Sequence, residues 1–263
     1  MIKERFSCTR DGLTIRGYVY RENNKNMPAA ILSHGFMGNH KMCKNYAKYF
    51  CKKGFAAFIF DFNGGGLGSK SDGKTTDMSV LTEVKDLKAV IEFAASQSYV
   101  NKSEITLVGL SQGGFVSGMV AAQLQEKIKR LIMFYPALCI PDDARKGSMI
   151  FAKFDPENVP ETIKCGLMKL GSVFATDVNK LDANNEISSY KGPVLIIHGT
   201  KDSIVNVQYS KDAYDAYMAK RKDDANAEEV ECLYIDGANH GFMGKNKKIW
   251  NAAALAKVDD FLK

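Results

Sequence analysis

The sequence predicts an α/β fold, a mostly parallel, doubly wound sheet with helices on both faces and a small inserted cap. Three observations lead there. Short apolar runs rich in β-branched residues alternate with stretches of helical spacing, the pattern of a parallel sheet covered on both faces. One such run, Ile105–Leu110, leads into Ser111 and then into the helically spaced Phe115–Ala122, with Gly109 and Gly113 on either side of the serine. The alternation stops at Pro136 and resumes at Pro193, leaving an irregular stretch that holds four of the six prolines. The expected organisation is a core of residues 1–135 and 191–263 with a cap subdomain at 136–190, within the size range of one domain.

Each element has its own warrant. Leu13–Tyr20 alternates with period two and pairs with Arg5–Thr9 across Arg10-Asp11-Gly12, a half-exposed hairpin. Asn23–Met27 reads as a polar loop. Ala29–Ser33 is a buried strand ending in His34-Gly35-Phe36-Met37-Gly38, followed by a helix over Met42–Lys53. Phe55–Phe60 is buried strand again, closed by Asp61-Phe62-Asn63-Gly64-Gly65-Gly66. From Met78 to Ser96, Val80, Val84, Leu87, Ile91 and Ala94 share one helical face. After the Ser111 unit, Arg130–Tyr135 is a strand. Inside the insertion a helix is expected over Thr162–Phe174. Val194–Ile197 resumes the sheet and ends in His198-Gly199-Thr200-Lys201-Asp202. A helix over Val207–Lys220, a strand over Val230–Ile235, the turn Asp236–Phe242 and a helix over Ile249–Leu262 close the order.

Composition narrows the function. The net charge of +6 is spread among mixed signs, with no clustered basic face for nucleic acid. The six cysteines, Cys8, Cys43, Cys51, Cys139, Cys165 and Cys232, show no metal-ligand spacing and read as reduced thiols. No metal and no cofactor is expected. The first residues lack the apolar run of a signal peptide and no stretch reaches membrane-spanning length, so the expectation is a cytoplasmic protein without a membrane partner. Its expected partner is a small-molecule ester, with a homodimer compatible. Gly64–Ser71 resembles a phosphate loop but lacks the glycine directly before Lys70. It reads instead as a flexible loop near the rim of the site.

Gly109-Leu110-Ser111-Gln112-Gly113 carries the chemistry. A serine on so sharp a strand-to-helix turn is pushed to positive φ, and the flanking backbones approach too closely for side chains. A serine nucleophile needs a base and an acid that orients it. Of four histidines, His240 lies in a loop after the last strand that can reach over the sheet. Asp202 follows the preceding strand; Asp236, four residues before His240, is its competitor. The order Ser…Asp…His favours Asp202 and His240. Two backbone N–H groups would receive an oxyanion, that of Gln112 and that of Phe36, which Gly35 allows to face inward. His34 is then a structural residue of that loop.

These motifs resemble the serine carboxylesterases of the α/β-hydrolase superfamily, and among them the bacterial cinnamoyl (feruloyl) esterases. The resemblance rests on His34–Asn39, Asp61-Phe62-Asn63-Gly64, Ser71-Asp72-Gly73, Gly109–Gly114, His198–Asp202 and Gly237–His240. It implies the α/β-hydrolase fold and hydrolysis of aromatic or short-to-medium acyl esters through an acyl-enzyme. It also implies substrate contacts at Gly35 and in the insertion, where Asp143 matches the carboxylate that meets a phenolic hydroxyl. Ile150 and Phe174 stand where the family has a glutamine and a tyrosine, and Asn63-Gly64-Gly65-Gly66 replaces its Asn-Gly-His-Gly. General esterase activity is therefore better supported than hydroxycinnamate specificity. The competing readings are a monoacylglycerol lipase-like hydrolase, a peptidase, or a non-catalytic binding protein on the same scaffold.

Overall fold

The computed structural model describes all 263 residues. Its centre is an eight-stranded sheet built from β1 (Ile2–Arg10), β2 (Leu13–Arg21), β3 (Met27–Ser33), β4 (Ala56–Asp61), β5 (Val100–Leu110), β6 (Arg130–Phe134), and two later strands, Val194–Gly199 and Val230–Ile235. The order across the sheet is β1-β2-β4-β3-β5-β6 followed by those two in turn. β1 and β2 form an antiparallel hairpin through Asp11-Gly12, β2 is antiparallel to β4, and every pairing beyond is parallel. β3 begins at Met27 rather than after it: Met27 pairs with Val100 and the register shifts before Ala29, next to Pro28.

Helices cover both faces, as burial of β3 to β6 on both sides demands. α1 (Lys44–Lys52) puts Tyr46, Ala47 and Phe50 against one face, beside Ala254 and Val258 of the C-terminal helix Lys247–Phe261. α2 (Val80–Ala95) and α3 (Gln112–Gln123) lie on the other. The stripe Val80, Val84, Leu87, Ile91 and Ala94 is buried, and a capping box of Ser79 and Thr82 starts α2. α3 is buried on nearly every side, so it carries little amphipathic pattern.

Residues 136–190 form α4 (Ile140–Arg145), two small hairpins β7 (Ser148–Met149) with β8 (Ala152–Lys153) and β9 (Thr162–Cys165) with β10 (Met168–Gly171), then α5 (Val173–Thr176) and α6 (Ala183–Ser188). The helix expected over Thr162–Phe174 is therefore a hairpin followed by one short helical turn. The reason is period two: Ile163, Cys165, Met168 and Leu170 are buried while Lys164 and Lys169 are exposed, and Gly166 turns the chain at φ +58°. The sheet then resumes with β11 (Val194–Gly199), α7 (Gln208–Arg221), β12 (Val230–Ile235) and α8 (Lys247–Phe261). Gly64–Ser71 is pinned rather than loose. Gly66 bridges to Met37, Asn39 Nδ2 donates to the Leu67 carbonyl at 3.1 Å, and the Lys70 N–H donates to Asp61 at 2.7 Å.

Candidate active site

Ser111 sits between β5 and α3 at φ 54° and ψ −120°. The glycines explain how so strained a residue is tolerated. A Cβ on Gly109 would lie 2.2 Å from the Gly113 carbonyl oxygen, and one on Gly113 would lie 2.5 Å from the carbonyl oxygens of Ser33 and His34. Only glycine fits either position. The Ser111 N–H donates to the Phe134 carbonyl at 3.0 Å, and the Ser111 carbonyl accepts from Gly114 at 2.8 Å and Ala137 at 3.0 Å. The turn is thus over-determined by β6 and by the start of the 136–190 segment, as stored backbone strain requires.

His240 opens the 3₁₀ turn after β12. Its Nε2 lies 3.0 Å from Ser111 Oγ, and its Nδ1 lies 2.7 Å from Asp202 Oδ2. The carboxylate takes the Nδ1–H, which leaves the Nε2 lone pair to accept from the serine hydroxyl. Tyr135 packs edge-on against the imidazole with centroids 4.8 Å apart, an additional restraint on its orientation. Asp236 stands elsewhere: it accepts from Thr200 Oγ1 at 3.0 Å in the turn after β12.

The Asp202 side chain is fully buried and accepts four hydrogen bonds. Oδ2 receives His240 Nδ1 and, at 3.1 Å, His198 Nε2, while Oδ1 receives the N–H groups of Ile204 and Val205, both at 2.9 Å. Burial pushes this carboxyl up, but the bonds from His198, His240 and Val205 outweigh it and hold it far below the usual carboxylate range. His198 also approaches the Val205 carbonyl and, through Nδ1, Ser210 Oγ at 2.7 Å. Sequence reasoning left His198 without a role. Its strand-end position next to Gly199 was visible, but its contact four residues along was not.

The loop from His34 to Gly38 lies directly against the serine. A Cβ on Gly35 would lie 3.0 Å from Ser111 Cβ, tighter than an ordinary contact, so a larger residue would press the loop back from the serine. Gly35 is not among the residues lining the cavity, and what the structure shows of it is this close approach. His34 is buried, with Nδ1 2.8 Å from the Gly35 carbonyl and Nε2 accepting from the Phe62 N–H at 3.2 Å. Burial lowers its affinity for a second proton, which suits those two bonds. Its neighbour His40 ends the loop, with backbone N–H and Nδ1 both on Asp61, at 2.6 and 2.7 Å. The backbone N–H groups of Phe36 and Gln112 have no partner within the protein.

A cavity of about 430 Å³ opens beside Ser111, with ten hydrophobic residues among the fifteen that line it. Phe36, Gln112, Asp143, Ile150 and Phe174 are among them. Phe174 is buried and packs on Phe36 at 5.5 Å between centroids, whereas Ile150 is exposed at the mouth with φ +48°. Burial raises the Asp143 carboxyl, opposed by a hydrogen bond from Cys139. Two further cavities, about 470 Å³ along β1 and β2 and about 580 Å³ beside Phe55 and Leu262, contain none of the three groups at Ser111. No group of three His, Cys, Asp or Glu side chains is arranged to hold a metal ion, and no helix is long and apolar enough to cross a membrane.

Behind the serine, the Gln112 side chain enters a buried polar pocket. Its Nε2 donates to Glu83 Oε2 at 2.8 Å, while its Oε1 is buried without a partner. Glu83 is one turn before Asp86, which pairs with Arg10 Nε at 2.7 Å and accepts from Asn63 through both its N–H, at 2.8 Å, and its Nδ2, at 3.0 Å. Sequence reasoning missed Glu83. The available signal was an acid at helical spacing inside the apolar stripe of Val80, Val84 and Leu87.

Comparison with known proteins bears on the family and the fold. Residues 42–263 match the model of the prolyl oligopeptidase family. Est1E from Butyrivibrio proteoclasticus, solved with ferulic acid bound, superposes with a TM-score of 0.84 at 26% identity, covering 98% of this chain and 100% of that one. The polyketide transferase GrgF from Penicillium is 30% identical over 131 residues, 49% of this chain and 43% of its own length. A putative esterase/lipase from Mycoplasma pneumoniae is 26% identical over 73% of this chain and 66% of its own. The chain thus spans less than half the length of the first of these curated relatives. The eight-stranded sheet, the strand–serine–helix turn and the family match lead to one assignment: the chain belongs to the prolyl oligopeptidase family and has the α/β-hydrolase fold.

Proposed function

We propose that the protein is a serine carboxylesterase acting through an acyl-enzyme, with Ser111 as nucleophile, His240 as base and Asp202 as the acid that orients it. The observation that carries this is the unbroken relay from Ser111 Oγ to His240 Nε2 at 3.0 Å and from His240 Nδ1 to Asp202 at 2.7 Å, placed at the edge of an apolar cavity. As Ser111 Oγ bonds to the ester carbonyl carbon, its proton passes to His240 Nε2. The carbonyl oxygen takes the electron pair and is received by the N–H groups of Phe36 and Gln112, which nothing else occupies. Collapse breaks the bond to the alcohol oxygen, which leaves with the proton from His240. Water then repeats the sequence and frees the acid.

The acyl group we assign is aromatic, of hydroxycinnamoyl type, or a short-to-medium chain. The cavity volume, the Phe36–Phe174 pair and the likeness to Est1E with ferulic acid support this. Asp143 is the acceptor for a phenolic hydroxyl, and Ile150 and Phe174 add apolar surface instead of further polar partners. The family match makes an amide the competing substrate. The test is a panel of ethyl ferulate, ethyl cinnamate, p-nitrophenyl acetate, butyrate and octanoate, and glycyl-prolyl-p-nitroanilide. Ester turnover without anilide turnover is expected. Faster release from the anilide would overturn the esterase reading.

A further inference from the structure

We propose that Glu83 is a positioning residue for the oxyanion site, holding Gln112 so that its backbone N–H faces the reacting carbonyl. This rests on the esterase reading above. Ser111, Gln112 and Gly113 form a turn with almost no room to adjust, and of their side chains only that of Gln112 reaches into the protein behind the site. It ends on Glu83, whose residue is 1% exposed and whose only polar partner is Gln112 Nε2 at 2.8 Å. A carboxyl placed there is costly unless it serves as a partner, because an unmatched buried polar group is strongly disfavoured.

The surroundings fix its protonation. The charged groups facing it are Asp86 on the same helix and, beyond it, Arg10 of β1, whose guanidinium is committed to Asp86 at 2.7 Å. Asn63, at the end of β4, donates to Asp86 rather than to Glu83. From α3 comes only the neutral amide of Gln112, and from the glycine loop only Gly65 backbone. No cation balances a second carboxylate, and burial, with Asp86 adding to it, keeps the Glu83 carboxyl neutral well above the usual range. A neutral carboxyl both accepts and donates. The bond on the page is the single one from Gln112 Nε2 to Glu83 Oε2, and the O–H of a neutral acid is the kind of donor that the buried Gln112 Oε1, which has no partner, lacks. Ionisation would remove that donor and set a negative charge behind the peptide that receives the oxyanion.

Two variants test this on the full chain with p-nitrophenyl acetate. Glu83→Leu removes the partner. Its kcat should fall about 10- to 100-fold with KM changed less than about threefold, as for a displaced oxyanion donor. Glu83→Gln keeps a neutral partner that donates and accepts, and should recover most of that loss. Wild-type kcat should decline as Glu83 ionises, above the usual carboxylate range, whereas E83Q should show no such decline. Superimposable wild-type and E83Q profiles, or E83L with wild-type kcat, would overturn the proposal. If E83L does not fold, the E83Q profile alone decides. Labelling of Ser111 by a fluorophosphonate is measured in parallel: absence of label in the wild type defeats the esterase reading itself, while label with unchanged profiles defeats only the role of Glu83.

Discussion

Replacing Asp202 with asparagine tests the acid of the relay, and its effect can be worked from the four donors around that carboxylate. An asparagine amide carries two hydrogens where the carboxylate carries lone pairs. If the NH₂ replaces Oδ1, it faces the N–H groups of Ile204 and Val205, and each donor left unpaired costs about 1–3 kcal/mol. If it replaces Oδ2, it faces His240 Nδ1 and forces the proton to Nε2, which then cannot accept from Ser111. In both orientations the imidazolium formed during attack loses its counter-charge. At about 4 Å and an effective dielectric of about 20 that interaction is worth about 4 kcal/mol, or roughly a thousandfold in rate. With the wrong tautomer added, Asp202→Asn should lower kcat by about 10³- to 10⁴-fold, in line with the same change in a serine hydrolase of another fold. KM should move little, since Asp202 does not line the cavity. The assay is steady-state hydrolysis of p-nitrophenyl acetate beside Asp236→Asn, which alters only the bond to Thr200 and should cost less than about twofold. Turnover by D202N within tenfold of wild type, or an equal loss in D236N, would refute the assignment.

Three further outcomes follow from the same geometry. Phe36→Pro deletes one oxyanion donor and should reduce kcat by about 10²- to 10³-fold, whereas Phe36→Ala keeps the N–H and should act mainly on KM through the lost contact with Phe174; steady-state kinetics separate the two. Ethyl ferulate should exceed ethyl cinnamate in kcat/KM by less than about tenfold, because Asp143 offers one hydrogen bond without a reinforcing network, and Asp143→Ala should shrink the ratio; a larger preference surviving the change would place hydroxyl recognition elsewhere. Burial raises the Asp61 carboxyl, but bonds from His40 and Lys70 overcome this and lower it below its ordinary value, so its stabilisation is present above the unfolded-state value and is lost as pH falls through the native one. Thermal melts from neutral to acid pH should therefore fall more steeply for wild type than for Asp61→Asn, and parallel curves would contradict that role.

What could be read from the sequence was what short-range geometry dictates. Gly109 and Ser111 announce a strained turn because the clash that Gly109 avoids, with the Gly113 carbonyl, lies within five residues, whereas the Ser33 and His34 carbonyls that exclude a Cβ on Gly113 belong to β3 and the loop after it. The buried runs of β3 to β6 and β11 announce a parallel sheet because both faces are covered. The β9–β10 hairpin was misread because four-residue strands carry too few alternations to distinguish period two from the helical period. Asp202 and Asp236 could be ranked only by chain order, since both follow a late strand. The structure separates them: Asp202 lies 2.7 Å from His240 Nδ1, whereas Asp236 accepts from Thr200. Tyr135 and Glu83 were hidden because their partners lie on other elements, and His198 because the turn that brings Asp202 back to it leaves no pattern in the sequence. An acid within the stripe of α2 was the one local clue, and it shows how a polar residue on an apolar face points inward to a site.

The central claim is that Ser111 becomes covalently acylated. Mixing the protein with excess p-nitrophenyl butyrate, quenching in acid and analysing the peptides by mass should reveal a butyryl group on the peptide containing Ser111, and the same experiment with Ser111→Ala should give none. Acyl groups on another side chain, or ester hydrolysis by S111A at the wild-type rate, would contradict it.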